Sequence, residues 1–235
     1  GKQRYPSSMI TSLHSKFPTL TALALVGFAA FMVTCSFVVD LIAQPASGAP
    51  LWFREDWKEI PAALPVTQEH VATPGLVLHT YGTAKDSIKK SHHDQPADDP
   101  YYIWSGECKG TWAVTLSKIG SAVDFSNGGV IRWRSRQSGQ RFPRILIRLA
   151  DGSFYVSDQT DTNSNEWHVF SFVLDQVTWS AFDIEKFVPV PGGKPPDLSR
   201  VVEVGFTDLE PGAGTPVSSR IDWIEVYGHP VAADQ

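Results

Sequence analysis

The sequence predicts an all-β fold, an antiparallel jelly-roll β-sandwich, preceded by a single N-terminal transmembrane helix. Short stretches of alternating apolar and polar residues recur between turn residues, and no window has a long apolar period of 3.6 residues. Positions 17–39 contain no charged residue, and at about 1.5 Å per residue such a helix spans roughly 34 Å, enough to cross a bilayer.

The N-terminal apolar stretch sets the expected organisation of the chain. Lys16 precedes it and Asp40 follows it, so the positive-inside rule places the N-terminus in the cytoplasm. A cleaved signal peptide is the alternative, but the apolar stretch is longer than such a peptide requires. The predicted segments are a cytoplasmic tail (1–16), an anchor helix (17–43), a linker (44–50) and a periplasmic or extracellular jelly roll (51–235).

Small residues on the anchor predict that it packs against another membrane helix. Gly27, Ala29 and Ala30 form a face that a neighbouring helix can approach closely. We therefore expect the lipid bilayer and other membrane-complex subunits as partners, with the protein in a bacterial inner membrane.

The strands of the sandwich are predicted from alternation and from turn residues. Asp151-Gly152, between two apolar stretches, predicts a hairpin. The predicted strands are Leu76–Thr80, Tyr101–Trp104, Trp112–Ser117, Val130–Ser135, Arg144–Ala150, Phe154–Ser157, Trp167–Val173, Val201–Thr207 and Arg220–Tyr227.

The composition excludes several functional classes. The 25 acidic and 20 basic residues give a net charge of −5, which disfavours nucleic acid as a partner. Two cysteines rule out a disulfide-dense scaffold and a four-cysteine zinc site. The sequence also lacks a Gly-x-Ser-x-Gly elbow, a His-Glu-x-x-His motif, a glycine-rich phosphate loop and a Cys-x-x-Cys motif. We therefore expect a protein that is not an enzyme and has no cofactor.

An arginine stripe and a polar loop are the candidate interface elements. Arg132, Arg134 and Arg136 share one face of a predicted strand, where they meet an acidic partner surface or anionic headgroups, or are balanced by cross-strand carboxylates. The loop offers the second set of candidates, namely Lys85, His92, His93, Tyr101 and Tyr102. Neighbouring histidines of an extended chain point to opposite sides, so this pair predicts a solvated loop rather than a metal site.

Tryptophans divide into expected core residues and candidates for stacking on a sugar. Alternation places Trp104, Trp112, Trp133 and Trp223 in the core. Sequence alone does not separate core from stacking platform for the remaining candidates, which are Trp52, Trp57, Tyr101, Tyr102 and Trp179.

The closing strands resemble those of galactose-binding-like jelly rolls. The stretches that carry this resemblance are Asp197–Ser199, Val204–Phe206 and Ile221–Gly228. That group includes carbohydrate-binding modules and the domain of complex I intermediate-associated protein 30. The resemblance implies a glycan as a possible ligand, and it gives Asp222 the place of a carboxylate that binds structural Ca²⁺ in some relatives. A fold of this kind hosts many roles, so its function depends on the site.

The architecture of one anchor and one sandwich is also similar to membrane-anchored accessory subunits of bacterial photosynthetic reaction-centre and light-harvesting complexes. This similarity implies a structural role, in which the sandwich docks onto a larger membrane complex. The alternative is a membrane-tethered carbohydrate-binding module, and a glycan-acting hydrolase is a third hypothesis.

Overall fold

The computed structural model describes residues 48–212, 214 and 217–233. The predicted tail, the anchor with Gly27, Ala29 and Ala30, and most of the predicted linker lie outside these residues. Within the described ranges, no helix has the length and hydrophobicity needed to cross a bilayer.

Strands dominate the described part of the chain, where they are joined by turns and three short 3-10 helices. Strands β1 to β15 are Leu51–Glu55, Leu76–Tyr81, Lys89–Ser91, Tyr102–Trp104, Ala113–Lys118, Ser121–Asp124, Val130–Gln137, Arg144–Leu149, Phe154–Ser157, His168–Val173, Trp179–Asp183, Val188–Val190, Val201–Thr207, Ser219–Tyr227 and His229–Ala232. The 3-10 helices are Gln68–His70, Lys85–Ser87 and Leu174–Gln176.

The strands form two antiparallel sheets. A six-stranded sheet has the order β10-β7-β14-β4-β3, with β1 also paired to β14. A nine-stranded sheet has the order β12-β11-β9-β8-β13-β5-β6-β15, with β2 paired to β5. The chain crosses repeatedly from one sheet to the other, as it does in jelly rolls. The predicted antiparallel β-sandwich is therefore confirmed.

The core lies between the two sheets. Trp133 of β7 and Phe206 of β13 are 0 % and 1 % exposed, and their ring centroids are 6.2 Å apart across the sandwich. Burial of each such side chain contributes on the order of 1.5–3 kcal/mol. Trp112 is 2 % exposed in the same cluster, so the core prediction is confirmed for Trp112 and Trp133.

The predicted hairpin joins β8 to β9. These strands pair antiparallel on either side of Asp151 and Gly152. Gly152 has a φ of +89°, a conformation that glycine adopts without steric cost. The turn sequence therefore fixes this connection, and the prediction is confirmed.

The outer face of the nine-stranded sheet is largely covered by its own side chains. Leu146 and Val156, which pair across β8 and β9, are 0 % exposed and pack in a second apolar cluster with Phe154, Phe182 and Phe187. This cluster explains why the apolar content of β8 is so high, because both faces of that strand are buried.

A buried carboxylate on the same face has several hydrogen-bond donors. Glu203 is 1 % exposed and accepts hydrogen bonds from Tyr81 Oη at 2.8 Å, Thr115 Oγ1 at 2.6 Å and Arg148 Nη1 at 2.9 Å. The central part of the nine-stranded sheet thus buries both this apolar cluster and this charge.

Candidate binding surface on the six-stranded sheet

Strict alternation along β7 places the three stripe arginines on the outside of the six-stranded sheet. Ile131 and Trp133 are 0 % exposed and face the core, whereas Arg132, Arg134 and Arg136 are partly exposed. The shared face predicted for these arginines is therefore present. Their role at an interface with other subunits or with lipid stays a prediction.

A β-bulge in β14 puts two consecutive side chains, those of Asp222 and Trp223, on this outer face. Ile221 pairs with Ser135, and Trp223 pairs with Arg134, so that Asp222 is an extra residue without its own partner on β7. Simple alternation would place Trp223 on the same side as Ile221. The core prediction for Trp223 is therefore wrong, because the bulge turns its ring outward.

Trp104 also lies on the outer face, although alternation predicted a core position. Its neighbour Ile103 is 1 % exposed and fills the core, which leaves Trp104 half-buried on the other side of β4. By contrast, Trp52 and Trp57, which were candidates for stacking, are each 1 % exposed and belong to the core. The inversion arises because β1 and β4 are only five and three residues long, which is too short for alternation to reveal their orientation.

Trp104 is held in place by its surroundings. Its indole Nε1 donates to Ser218 Oγ at 2.7 Å. Gly106 approaches the ring so closely that a Cβ at position 106 would lie 2.0 Å from Cζ2 and 2.2 Å from Cε2. The ring therefore presents a fixed surface whose orientation depends on the glycine.

A second aromatic group on this face consists of Trp167 and Tyr102. Trp167, which precedes β10, meets the ring of Tyr102 edge to face at 5.4 Å, and the Arg134 guanidinium lies 5.1 Å from the Trp167 ring. Tyr102, one of the predicted interface residues, is only 3 % exposed. It therefore supports Trp167 rather than presenting much surface itself.

Ion pairs balance the part of the face around Trp223. Glu225 is 3 % exposed and accepts from Arg54 Nη1 at 2.5 Å and from Tyr227 Oη at 2.9 Å, and Arg132 also donates to it. Burial disfavours the ionised Glu225, but the hydrogen bonds from Arg132 and Arg54 outweigh it and lower the pKa of this carboxyl. The arginines here are oriented by fixed partners and offer directed N–H groups.

Asp222 completes this balanced region through Arg134. Arg134 Nη1 donates to its carboxylate at 2.6 Å, while burial raises the pKa of Asp222. A guanidinium in contact opposes a cation at the same carboxylate, so this pairing does not favour the calcium hypothesis for Asp222. Among the described residues, His, Cys, Asp and Glu form no group of three or more able to hold a metal ion.

The polar loop lies beside this face. His92 stacks on Tyr101 with centroids 3.9 Å apart, and His93 Nδ1 lies 2.9 Å from the Asp99 carboxylate. The histidines thus have separate partners, as expected for neighbours in an extended chain. A cleft of about 480 Å³ joins the loop to the sheet, with His92, Tyr101, Asp56 and Asp222 among its lining residues.

Lys85 does not join this cluster. It lies on a 3-10 helix and lines a different cleft with Tyr81 of β2 and Ile184. The structure therefore brings His92, His93, Tyr101 and Tyr102 close to the arginine face and leaves Lys85 elsewhere. Sequence reasoning missed Arg54, Trp167 and Arg220 as members of the face, since only the strand pairing shows that they lie there.

Comparisons with known proteins identify similar solved structures only. Neither family models nor curated proteins match the chain. The family 11 carbohydrate-binding module of Lic26A-Cel5E from Clostridium thermocellum is 12 % identical, with a TM-score of 0.45, over 73 % of this chain and 96 % of that chain. The module CBM29_1 from Piromyces equi is 10 % identical, with a TM-score of 0.40, over 75 % and 91 %.

A further structure of the Clostridium thermocellum family 11 module contains a β-1,3-1,4-mixed-linked tetrasaccharide. It is 14 % identical, with a TM-score of 0.44, over 73 % of this chain and 98 % of that chain. Carbohydrate-binding modules, the group named from the closing strands, are thus among the similar solved structures. At these identities and TM-scores the likeness carries no conclusion about family or ligand.

Proposed function

We propose that the chain is a non-catalytic glycan-binding protein whose binding surface is the outer face of the six-stranded sheet. The observation that carries the proposal is the set of three half-buried tryptophans, Trp104, Trp167 and Trp223, on one face with arginines between them. Sugar rings offer C–H groups that stack on indole rings, and hydroxyls that accept from guanidinium groups and donate to carboxylates.

The construction of the face supports this proposal. Apart from Trp167, which precedes β10, the side chains lie on paired strands. The ion pairs of Glu225 and Asp222 fix Arg54, Arg132 and Arg134 before any ligand arrives. A preorganised surface loses little side-chain entropy on binding. The guanidiniums of Arg54 and Arg132 lie 4.5 Å and 5.8 Å from the Trp223 ring centroid, whereas the nearest cation to Trp104 among the described residues is 5.3 Å away. Trp104 is therefore the principal stacking residue of the proposal.

The predicted membrane anchor would give this binding surface a location. A tether at residues 17–43 would keep the sandwich at high local concentration beside a membrane, so that a weak contact with a nearby glycan is occupied. The docking of the sandwich onto a larger membrane complex remains a separate prediction.

The proposal is tested by screening the full chain in mild detergent against an array of neutral and acidic polysaccharides. We expect retention by at least one polysaccharide and a loss of affinity of about tenfold or more in Trp104→Ala. Trp179→Ala is the matched control, because Trp179 is partly exposed on β11 of the other sheet. Circular dichroism is used to check that both variants fold.

Two outcomes would contradict glycan binding by this face. One is the absence of retention by every polysaccharide on the array. The other is an equal loss of affinity in Trp104→Ala and Trp179→Ala, which would place the ligand elsewhere.

A further inference from the structure

A cross-strand row at one end of the six-stranded sheet combines three cations with one tryptophan. Arg136 of β7 pairs with Arg220 of β14, Arg220 pairs with Trp104 of β4, and Trp104 pairs with Lys89 of β3. Residues that pair directly point to the same side of a sheet, so all four side chains share the outer face. We call these four residues the cationic row.

The cations of this row have no carboxylate partner among the described residues. None of the ion pairs found there involves Arg136, Arg220 or Lys89. Arg136 Nε donates to the backbone oxygen of Asn165 at 2.6 Å, which leaves the terminal nitrogens of its guanidinium available. Arg220 and Lys89 lie 6.0 Å and 5.3 Å from the Trp104 ring centroid.

Like charges directly opposite each other destabilise a pair of strands. The pairing of Arg136 with Arg220 therefore costs stability in the free protein, unlike the balanced pairs around Glu225 on the same sheet. A bound anion would remove this repulsion, and guanidinium groups match carboxylate and sulfate groups in a two-point geometry. The row thus has the charge of an anion site and, in Trp104, an aromatic surface beside it.

We propose that the cationic row binds the anionic group of an acidic sugar residue, a uronate carboxylate or a sulfate ester, while its ring stacks on Trp104. This inference rests on the proposed glycan-binding function and specifies its ligand class. The positive charge of the row is a local feature. Residues 51–235 as a whole are acidic, with 24 acidic and 17 basic side chains. A dense polyanion such as nucleic acid or an anionic membrane would meet repulsion over the rest of the surface.

The test compares charged and uncharged forms of the same oligosaccharides on the full chain in mild detergent. The carboxylate probe is tetragalacturonic acid against its tetramethyl ester, and the sulfate probe is a sulfated galactan tetrasaccharide against its desulfated form. We expect calorimetry to show at least tenfold tighter binding of one acidic probe than of its uncharged form, with affinity that falls as NaCl is raised. The acidic probe that binds more tightly than its uncharged form identifies the anionic group as a carboxylate or a sulfate.

Charge-removing variants locate the anion. Arg220→Gln and Arg136→Gln are each expected to lower the ratio of the affinities for the acidic probe and for its uncharged form by about tenfold. Lys194→Gln is the matched control, because Lys194 is exposed and forms no ion pair with the described residues. In the free protein, Arg220→Gln should not lower Tm, whereas a purely structural arginine would lower it on removal.

The outcomes separate the two proposals. Equal affinity for charged and uncharged probes, lost in Trp104→Ala, overturns the anion site and leaves glycan binding standing. Binding to vesicles with anionic lipid but to neither acidic probe also overturns it, in favour of a headgroup site. A failure of every polysaccharide on the array to bind is instead a failure of the proposed function.

Discussion

The two outer faces of the sandwich differ in what they leave uncovered. On the nine-stranded sheet, Leu146 and Val156 are fully buried in an apolar cluster, and Glu203 accepts hydrogen bonds from three side chains. On the six-stranded sheet, Trp104 and Trp223 remain half-buried, and no carboxylate in the described part of the chain forms an ion pair with the cationic row. The first face contributes to folding, whereas the second presents groups that the proposed glycan would contact.

The largest expected effect comes from the covered face. Leu146→Ala removes a fully buried side chain and should lower the free energy of unfolding by about 2–5 kcal/mol. Glycan affinity should stay within twofold at temperatures where the variant is folded. Thermal and urea denaturation measure the first effect, and calorimetry measures the second.

Val169→Ala supplies the control on the opposite face. Val169 is 53 % exposed, and its truncation should change stability by less than about 0.5 kcal/mol. Similar losses of unfolding free energy in Leu146→Ala and Val169→Ala would show that the two faces do not differ in their contribution to folding.

The next effect concerns the ion-paired part of the proposed binding face, around Glu225. Glu225→Gln removes the charge that Arg54 and Arg132 share, and should destabilise the protein by about 1–3 kcal/mol at pH 7. The pKa of Glu225 is lowered in the folded state, so its stabilising contribution is complete above the unfolded value of 4.5. It is lost as the pH falls through the folded pKa.

The Tm difference between the wild type and Glu225→Gln should therefore shrink as the pH falls below about 4.5. The matched control is Glu166→Gln, because Glu166 is exposed and its carboxylate forms no ion pair with the described residues. A Tm difference that is independent of pH would mean that the lost packing of the side chain, and not its charge, causes the destabilisation.

The smallest expected effect concerns the orientation of a single ring. Gly106→Ala places a Cβ within 2.2 Å of two Trp104 ring atoms, so the ring must shift. We expect glycan affinity to fall about tenfold, equivalent to ~1.4 kcal/mol, with the net charge unchanged. The double variant with Trp104→Ala should lose no more affinity than Trp104→Ala alone. Additive losses would show that Gly106 acts separately from Trp104.

The sequence predicts the central strands well because each has one face in the core. In β7, apolar and charged residues alternate at Ile131, Arg132, Trp133 and Arg134, and the structure follows this pattern. Edge strands such as β12 leave no such signature. Val188, Pro189 and Val190 are all exposed and join the sheet only through their pairing with β11. β12 is accordingly not among the predicted strands.

The candidate site was predictable only in part. The arginine stripe follows from alternation, but the outward placement of Trp223 depends on one unpaired residue in β14. The cationic row is invisible in the sequence, since Arg136, Arg220 and Lys89 are distant along the chain and meet only through strand pairing. Register, rather than composition, assembles this surface.

The bulge at Asp222 leaves that position out of the pairing between β14 and β7. A chain one residue shorter there would still set Ile221 opposite Ser135 and Trp223 opposite Arg134. The register between β14 and β7 is then the same before and after the bulge, whether the extra residue is present or absent. Lineages could therefore gain or lose an acidic group beside the tryptophans in a single step, and the interior would not have to adapt.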